Sequence, residues 1–140
     1  MSRRSARDTA FRLIFEYSTV GEFNPETRDV MRDCFDKGMN DAAWSFVSDI
    51  IDKYVENSDE VDDIISKHAK GWTIVHMAKV ELSILRLGVT ELKYCDDIAS
   101  SITINECVEM TKRYSTEKSS KFVNGVLGAA LRAIEENKDA

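Results

Sequence analysis

Hydrophobic residues recur along this chain at the spacing of an α-helix. In the first segment they fall on one side of a helix, which predicts a helix over residues 4–19 that breaks between Gly21 and Pro25. The residues on this side are Ala6, Ala10, Leu13, Ile14 and Tyr17. The same spacing predicts a second helix that ends near Gly38. Its inward residues are Val30, Met31, Cys34 and Phe35.

Polar residues that favour helix starts divide the middle of the chain. A third helix is predicted from Asn40 or Asp41, because either side chain can cap it. A fourth is predicted from Ser58 up to Gly71, since the acids after Ser58 suit the positive end of a helix dipole. The inward residues of these two helices are Trp44, Val47, Ile50, Ile51, Tyr54, Val61, Ile64, Ile65 and His68.

The last part of the chain contains the most apolar segment. Its hydrophobic spacing predicts a helix that stops near Gly88, followed by a short helical piece over residues 90–95. Thr103 and Glu106 have the spacing of a capping box, which predicts the start of another helix there. A final helix is predicted over residues 116–137.

Length and composition agree with this helical pattern. The 140 residues contain one proline and six glycines, too few for many strands joined by tight turns. A chain of this length is about one ordinary domain. We therefore predict an all-α protein in which residues 1–140 form a single domain, a compact bundle of about seven helices or two packed sub-bundles.

Composition also narrows the class of protein. With 43% hydrophobic and 31% charged residues, the chain resembles soluble globular proteins. We expect no membrane contact, because the uncharged stretches are far shorter than the roughly 20 apolar residues that span a bilayer. The arginines near the N-terminus precede no apolar segment, so we expect no secretory signal. Three scattered cysteines without CxxC spacing indicate reduced thiols in an intracellular protein.

The net charge of -6 argues at first against binding to nucleic acid. The charge is unevenly distributed, however. Residues 1–21 have a net charge of +2, residues 22–63 of -9, residues 64–109 of -1 and residues 110–140 of +2. Because salt screens distant charges, an acidic body with basic ends can still bind a polyanion. The acidic middle is expected to face water or a basic partner protein.

Signals for catalysis or metal binding are weak. The sequence contains no P-loop, GxGxxG, HExxH or GxSxG motif. His68 and His76 are eight residues apart, a spacing that suits no common metal site, so we interpret them as surface or capping residues. We interpret Trp72, just after Gly71, as a core or hinge residue. We therefore predict no catalytic residues, no cofactor and no metal.

Arginines are concentrated at the start of the first helix. Arg3, Arg7 and Arg4 would lie at about 0°, 40° and 100° around its axis, so they share one arc. Asp8 is the nearest acid in the sequence, which suggests that these arginines are not neutralised locally. Guanidinium groups bind phosphate oxygens and stack on unpaired bases. The cluster is therefore a candidate RNA-binding site, although solubilising arginines are also common at this position.

A second basic set lies near the other end of the chain. It comprises Lys112, Arg113, Lys118 and Lys121. Lys118 and Lys121 flank the start of the final helix, where free backbone N–H groups also favour an anion. Phe122 could stack on a base, although its spacing also suits the core.

Several segments together resemble the NusB family of transcription antitermination factors. Residues 3–7 read RRSAR, and residues 10–15, AFRLIF, resemble the family's ALQALY stretch. ELSILRLGVTE at 81–91 is similar to ExxxLRxxxxE, and INECVEMTKRY at 104–114 to INEAVELAKxF. KFVNGVL at 121–127 matches the family signature in every letter. These segments occur in the family's order and spacing over nearly the whole chain.

The resemblance implies a fold of two packed three-helix sub-bundles and a cytoplasmic role in bacteria. It implies binding to boxA-type nascent single-stranded RNA together with NusE, a small-subunit ribosomal protein. The pair would act in the antitermination complex of RNA polymerase, chiefly in ribosomal RNA operons. The implied RNA-binding residues are Arg3, Arg4 and Arg7, with Lys118, Lys121 and Phe122 second. The helix bearing Glu81, Ile84, Leu85 and Glu91 would supply part of the NusE surface.

Two other interpretations stay open at this point. NusB-like domains also precede RNA methyltransferase domains, but this chain has no glycine loop for a methyl donor. The chain could also be a protein-interaction module, with a homodimer covering the arginine-bearing face in place of RNA.

Overall fold

A computed structural model of the chain describes residues 3–23, 26 and 41–139. Within these ranges it contains six α-helices, a short 3-10 helix at Ile74–His76 and no β-strand. The α-helices are α1 (Arg3–Val20), α2 (Asp41–Glu56), α3 (Ser58–His68), α4 (Lys79–Tyr94), α5 (Ser100–Tyr114) and α6 (Glu117–Asp139). The all-α prediction is confirmed. The predicted helix that ends near Gly38 lies outside the described residues.

Helix α4 lies at the centre of the fold. It packs against each of the other five described α-helices. Every residue from Glu81 to Leu92 is buried, which is what a helix surrounded by others requires. Helices α1, α2 and α4 pack on one another, and so do α4, α5 and α6, while α3 packs on α4 and α6. The two three-helix groups therefore share α4.

The predicted helix end near Gly88 is wrong, because α4 continues without interruption to Tyr94. A Cβ atom at Gly88 would lie 2.9 Å from Cδ2 of Leu127 on α6 and 3.1 Å from Sγ of Cys107 on α5. Glycine is therefore needed here for close packing of three helices. The break predicted at Gly21 is confirmed, since its φ of 94° is the left-handed conformation that often ends a helix.

The predicted capping box is also wrong. Helix α5 begins at Ser100, so Thr103 lies inside it and is buried. Its hydroxyl donates to Glu91 Oε1 at 3.3 Å, and Glu106 binds Arg4 rather than the helix start. Both side chains form contacts with other helices, which local spacing does not reveal. The predicted starts at Asp41 and Ser58 agree with α2 and α3, and the final helix agrees to within two residues.

The packing at Gly88 generates the first prediction. Gly88→Ala should lower the free energy of unfolding by about 1–3 kcal/mol, because the buried Leu127 side chain must move. Urea denaturation measures this change. Gly125→Ala is the matched control, since no described atom lies within 4 Å of its Cβ position and alanine favours a helix. An equal loss of stability in both variants would contradict the packing role of Gly88.

Candidate nucleic-acid interface

Helices α1 and α5 lie side by side and run in the same direction. Three contacts in register establish this arrangement: Arg4 with Glu106, Asp8 with Arg113, and Phe11 with Tyr114. The Phe11 and Tyr114 ring centroids are 4.9 Å apart. These contacts place the N-terminal arginines against the middle of α5, and the aromatic residues of α1 against its end.

Arg4 is an exposed arginine on this face. Its Nε and Nη2 donate to the two carboxylate oxygens of Glu106 at 3.0 and 3.1 Å. The Arg4 side chain is 57% exposed, whereas that of Glu106 is 16% exposed. Hydrogen bonding from Arg4, opposed in part by burial, holds the pKa of Glu106 below its usual range. Both groups are therefore charged at neutral pH.

Arg7, which the sequence analysis predicts to contact RNA, is buried in this structure. Its side chain is 2% exposed, and Nη2 donates to Glu91 Oε1 at 2.8 Å. The guanidinium also lies 5.7 Å from the centroid of the Phe46 ring. Burial is the largest influence on the pKa of Arg7 and lowers it, but the hydrogen bond to Glu91 and the nearby negative charges together outweigh burial and keep this pKa above its usual value. Arg7 therefore holds helices together.

The four residues of α4 that were predicted to bind NusE are buried as well. Ile84 and Leu85 are completely buried, and Glu91 is the buried partner of Arg7. Glu81 is also buried, and its carboxylate accepts a hydrogen bond from Ser115. Because other helices surround α4, its segment from Glu81 to Leu92 has almost no exposed surface for another protein to contact. These four residues belong to the core and its polar contacts.

The second basic set is divided between two helices, with Lys112 and Arg113 at the end of α5 and the two other lysines at the start of α6. Lys118 and Lys121 are exposed, and Phe122 is half-buried. A surface pocket of about 460 Å³ combines Lys118 and Phe122 with residues from the α3–α4 connection. Its lining is Trp72, His76, Met77, Ala78, Glu81, Lys118, Ser119 and Phe122. Cationic and aromatic groups thus lie together here.

The two predicted basic sets do not share a pocket. Arg4 borders a pocket near the start of α5, whereas Lys118 lies beyond its end. A pocket of about 490 Å³ lies between them, lined by Phe11, Arg12, Phe15, Glu16, Thr19, Val80 and Tyr114. The side chain of Arg3 lies outside the described residues. The candidate interface is therefore extended, from Arg4 past Tyr114 to Lys118.

Two aromatic or basic residues of this face were missed by the sequence analysis. Trp72, expected in the core or at a hinge, is 54% exposed. Arg12 is absent from the predicted cluster, but its Nη2 donates to the Tyr114 hydroxyl at 3.4 Å. No local signal identifies either residue, since both positions depend on how distant helices pack.

Other titratable groups of the described residues lie in local contacts or in the core. Within the described residues, no group of three or more His, Cys, Asp or Glu side chains could hold a metal ion. His68 Nδ1 lies 2.8 Å from the Ile64 carbonyl, and His76 Nδ1 lies 2.7 Å from the Thr73 hydroxyl. Burial raises the pKa of the Cys95 thiol to about 11, so it is protonated at neutral pH. No helix in the described ranges has the length and apolar character needed to cross a membrane.

Comparison with known families agrees with this architecture. The model of the NusB family matches residues 4–132. The chain belongs to the NusB family. Relatives named transcription antitermination protein NusB extend over nearly the whole chain. The protein from Finegoldia magna is 36% identical, with 96% of this chain and 97% of the relative covered. That from Clostridium botulinum strain Kyoto is 38% identical, with 94% and 100% covered.

Solved structures of the NusB family share the fold. T. maritima NusB has a TM-score of 0.85 and 29% identity, with 100% of this chain and 99% of that chain covered. A crystal structure of the antitermination factors NusB and NusE in complex with double-stranded RNA has a TM-score of 0.82 and 35% identity. It covers 94% of this chain and 96% of the matched chain. The six described helices are thus arranged as in NusB proteins.

The buried ion pair generates the second prediction. Arg7→Met should lower the free energy of unfolding by about 3–5 kcal/mol, because it leaves the Glu91 carboxylate buried without its guanidinium. Urea denaturation measures this loss. Arg4→Met removes an exposed pair and should leave stability nearly unchanged. Adding Glu91→Met to Arg7→Met should restore most of the loss; if it restores none, the ion pair is not the cause.

Proposed function

We propose that this chain is a transcription antitermination factor that binds boxA-type nascent RNA together with NusE. It would help RNA polymerase read through terminators, chiefly in ribosomal RNA operons, in the bacterial cytoplasm and without catalysis of its own. The observation that carries the proposal is family membership over nearly the full length of the chain. The solved complex of NusB and NusE with double-stranded RNA supports NusE and RNA as partners, and the single-stranded form of the RNA is part of the proposal.

The chemistry of the extended face supports RNA as the ligand. Arg4 and Lys118 present exposed cations that can bind phosphate oxygens, and Lys121 adds a third. Local positive charge can attract RNA although the chain as a whole is acidic, because salt screens the distant acids. These cations lie on or beside α5 and at the start of α6, so a strand of RNA could contact both ends of the face.

Aromatic groups on the same face favour unpaired RNA. Trp72 is exposed and Phe122 is half-buried beside Lys118. Unpaired bases stack on aromatic side chains, whereas the bases of an A-form duplex are stacked on one another. We therefore propose that boxA-type RNA binds as a single strand, with at least one base in the pocket of Trp72 and Phe122.

The third prediction concerns RNA and its partner together. A boxA-type single strand should bind the chain measurably by fluorescence anisotropy, and NusE should tighten this binding. The physical reason is that a second protein adds contacts to the same RNA. A duplex of the same sequence should bind more weakly, and a scrambled single strand is the control for sequence. An affinity that NusE leaves unchanged would contradict the partner proposal but not RNA binding.

The fourth prediction concerns the second basic set. Lys118→Ala should weaken RNA binding and reduce the salt slope by about 0.7, the value for one phosphate contact with a single strand. Arg132→Ala is the matched control, because Arg132 is an exposed cation on the same helix. It lies fourteen residues further along α6, or about 21 Å at 1.5 Å per residue. Equal losses in both variants would indicate general attraction rather than a contact at Lys118.

A further inference from the structure

We infer that Glu106 is a positioning residue for RNA: it holds the Arg4 guanidinium so that its free edge faces a backbone phosphate. This inference rests on the proposed function and deepens it. It assigns a specific role in binding an anion to an acidic side chain, which charge alone would not suggest. Three features of the structure carry it: the geometry of the ion pair, the relative burial of its partners and the surrounding charges.

The geometry of the pair leaves one edge of the guanidinium available. An arginine presents five N–H donors in a planar fork. Arg4 uses its Nε and Nη2 side for the two oxygens of Glu106, at 3.0 and 3.1 Å. Three N–H groups, two of them on Nη1, have no partner among the described residues. Nη1 and Nη2 together form an outer edge that can bind two oxygens of one phosphate.

Arg4 is more exposed than Glu106, as the binding of a phosphate by Arg4 requires. The Glu106 side chain is 16% exposed and lies on the inner side, whereas Arg4 is 57% exposed and lies outside it. An approaching phosphate would therefore meet the guanidinium before the carboxylate. The pair also borders an open pocket of about 350 Å³ that is lined in addition by Asp97, Ile98, Ala99 and Ile102, so there is space next to Arg4.

The surrounding charges offset the negative charge of Glu106. Besides Arg4, the guanidiniums of Arg7 and Arg113 lie close enough to lower the pKa of this carboxyl. Glu106 therefore faces three cations, two of which are paired with other acids: Arg7 with Glu91, and Arg113 with Asp8. Because Asp8 and Glu109 also act on Arg4, the local charges largely cancel, and what Glu106 contributes is the orientation of the Arg4 guanidinium.

Comparison with Arg7 separates this arrangement from an ordinary structural ion pair. Arg7 also binds a carboxylate through Nε and Nη2, but its side chain is 2% exposed. A buried guanidinium offers no edge to a ligand. Arg4 has nearly the same pairing geometry at the surface, and an exposed pair of this kind contributes little to stability. The Arg7 pair therefore stabilises the fold, whereas the Arg4 pair leaves a guanidinium edge that a ligand can reach.

The experiment is RNA titration with Glu106→Gln, which retains the shape but removes the negative charge. If Glu106 orients Arg4, this variant should bind boxA-type RNA about three- to ten-fold more weakly, because the side chain must be ordered on binding. The salt slope should fall by about 0.7 if the phosphate contact is lost. Net charge alone predicts the opposite result, tighter RNA binding, because Glu106→Gln makes the protein less negative. Tighter or unchanged binding would overturn the inference.

Matched variants distinguish orientation from other effects. Glu109→Gln makes the same change of charge three residues along α5, at an exposed acid paired with Lys112, and should leave binding unchanged or tighter. In an Arg4→Ala background, Glu106→Gln should cause no further loss, because there is no guanidinium to orient. A loss that persists in that background would overturn the inference. So would a loss accompanied by a lower midpoint of thermal unfolding, which would indicate a structural role.

The same titrations distinguish failure of the proposed RNA binding from failure of the role inferred for Glu106. If the unaltered chain fails to bind RNA with or without NusE, both the function and the role of Glu106 are wrong. If the unaltered chain binds and Glu106→Gln binds equally well, only the role of Glu106 is wrong. Arg4→Lys provides a second comparison, because lysine keeps the charge but lacks the planar fork. Its affinity should fall to about that of Glu106→Gln.

Discussion

The buried ion pair between Arg7 and Glu91 is the interaction on which the rest of this face depends. A charge removed from water is costly unless it is paired and hydrogen-bonded. Glu91 meets this requirement by accepting from Arg7 and from the Thr103 hydroxyl, so one carboxylate joins α1, α4 and α5. Helix α1 cannot slide or rotate on α4 without leaving a buried charge unpaired. Since Arg4 lies one turn before Arg7, the same constraint sets where the exposed guanidinium meets Glu106.

Other polar residues of α4 also fix the positions of neighbouring helices. Arg86 donates to both oxygens of Asp62 on α3 at 3.0 Å and to the Ser18 hydroxyl on α1 at 2.9 Å. Glu81 accepts from Ser115, which follows α5. Apolar contacts alone would tolerate several orientations of neighbouring helices, because the hydrophobic effect is not directional. Each buried charge of α4 instead requires a particular partner on a particular element. We infer that these contacts select one arrangement of helices around the central one.

The sequence predicted the helices far better than it predicted the roles of their charged residues. Periodicity identified the helix over 4–19 and the starts at Asp41 and Ser58, because a helix face is a local pattern. Arg4 and Arg7 seemed to lack counter-charges because their acids are 102 and 84 residues away in the sequence. Gly88 looked like a helix end for the same reason: the side chains that require a glycine there belong to α5 and α6. Errors arose wherever a residue's role depends on another helix.

Carrying a family's binding residues onto a new chain is therefore sound only after burial is known. Arg4 and Arg7 belong to one motif and both bind a carboxylate side-on, yet one is 57% and the other 2% exposed. The difference has a geometric origin, since residues three apart on a helix are offset by about 60° and α1 is covered on one side. Within this motif, Arg7 fixes α1 against α4, and Arg4 lies exposed on the helix that Arg7 fixes. Selection for RNA binding would preserve both arginines, because loss of the Arg7 ion pair would shift α1 and displace the Arg4 guanidinium.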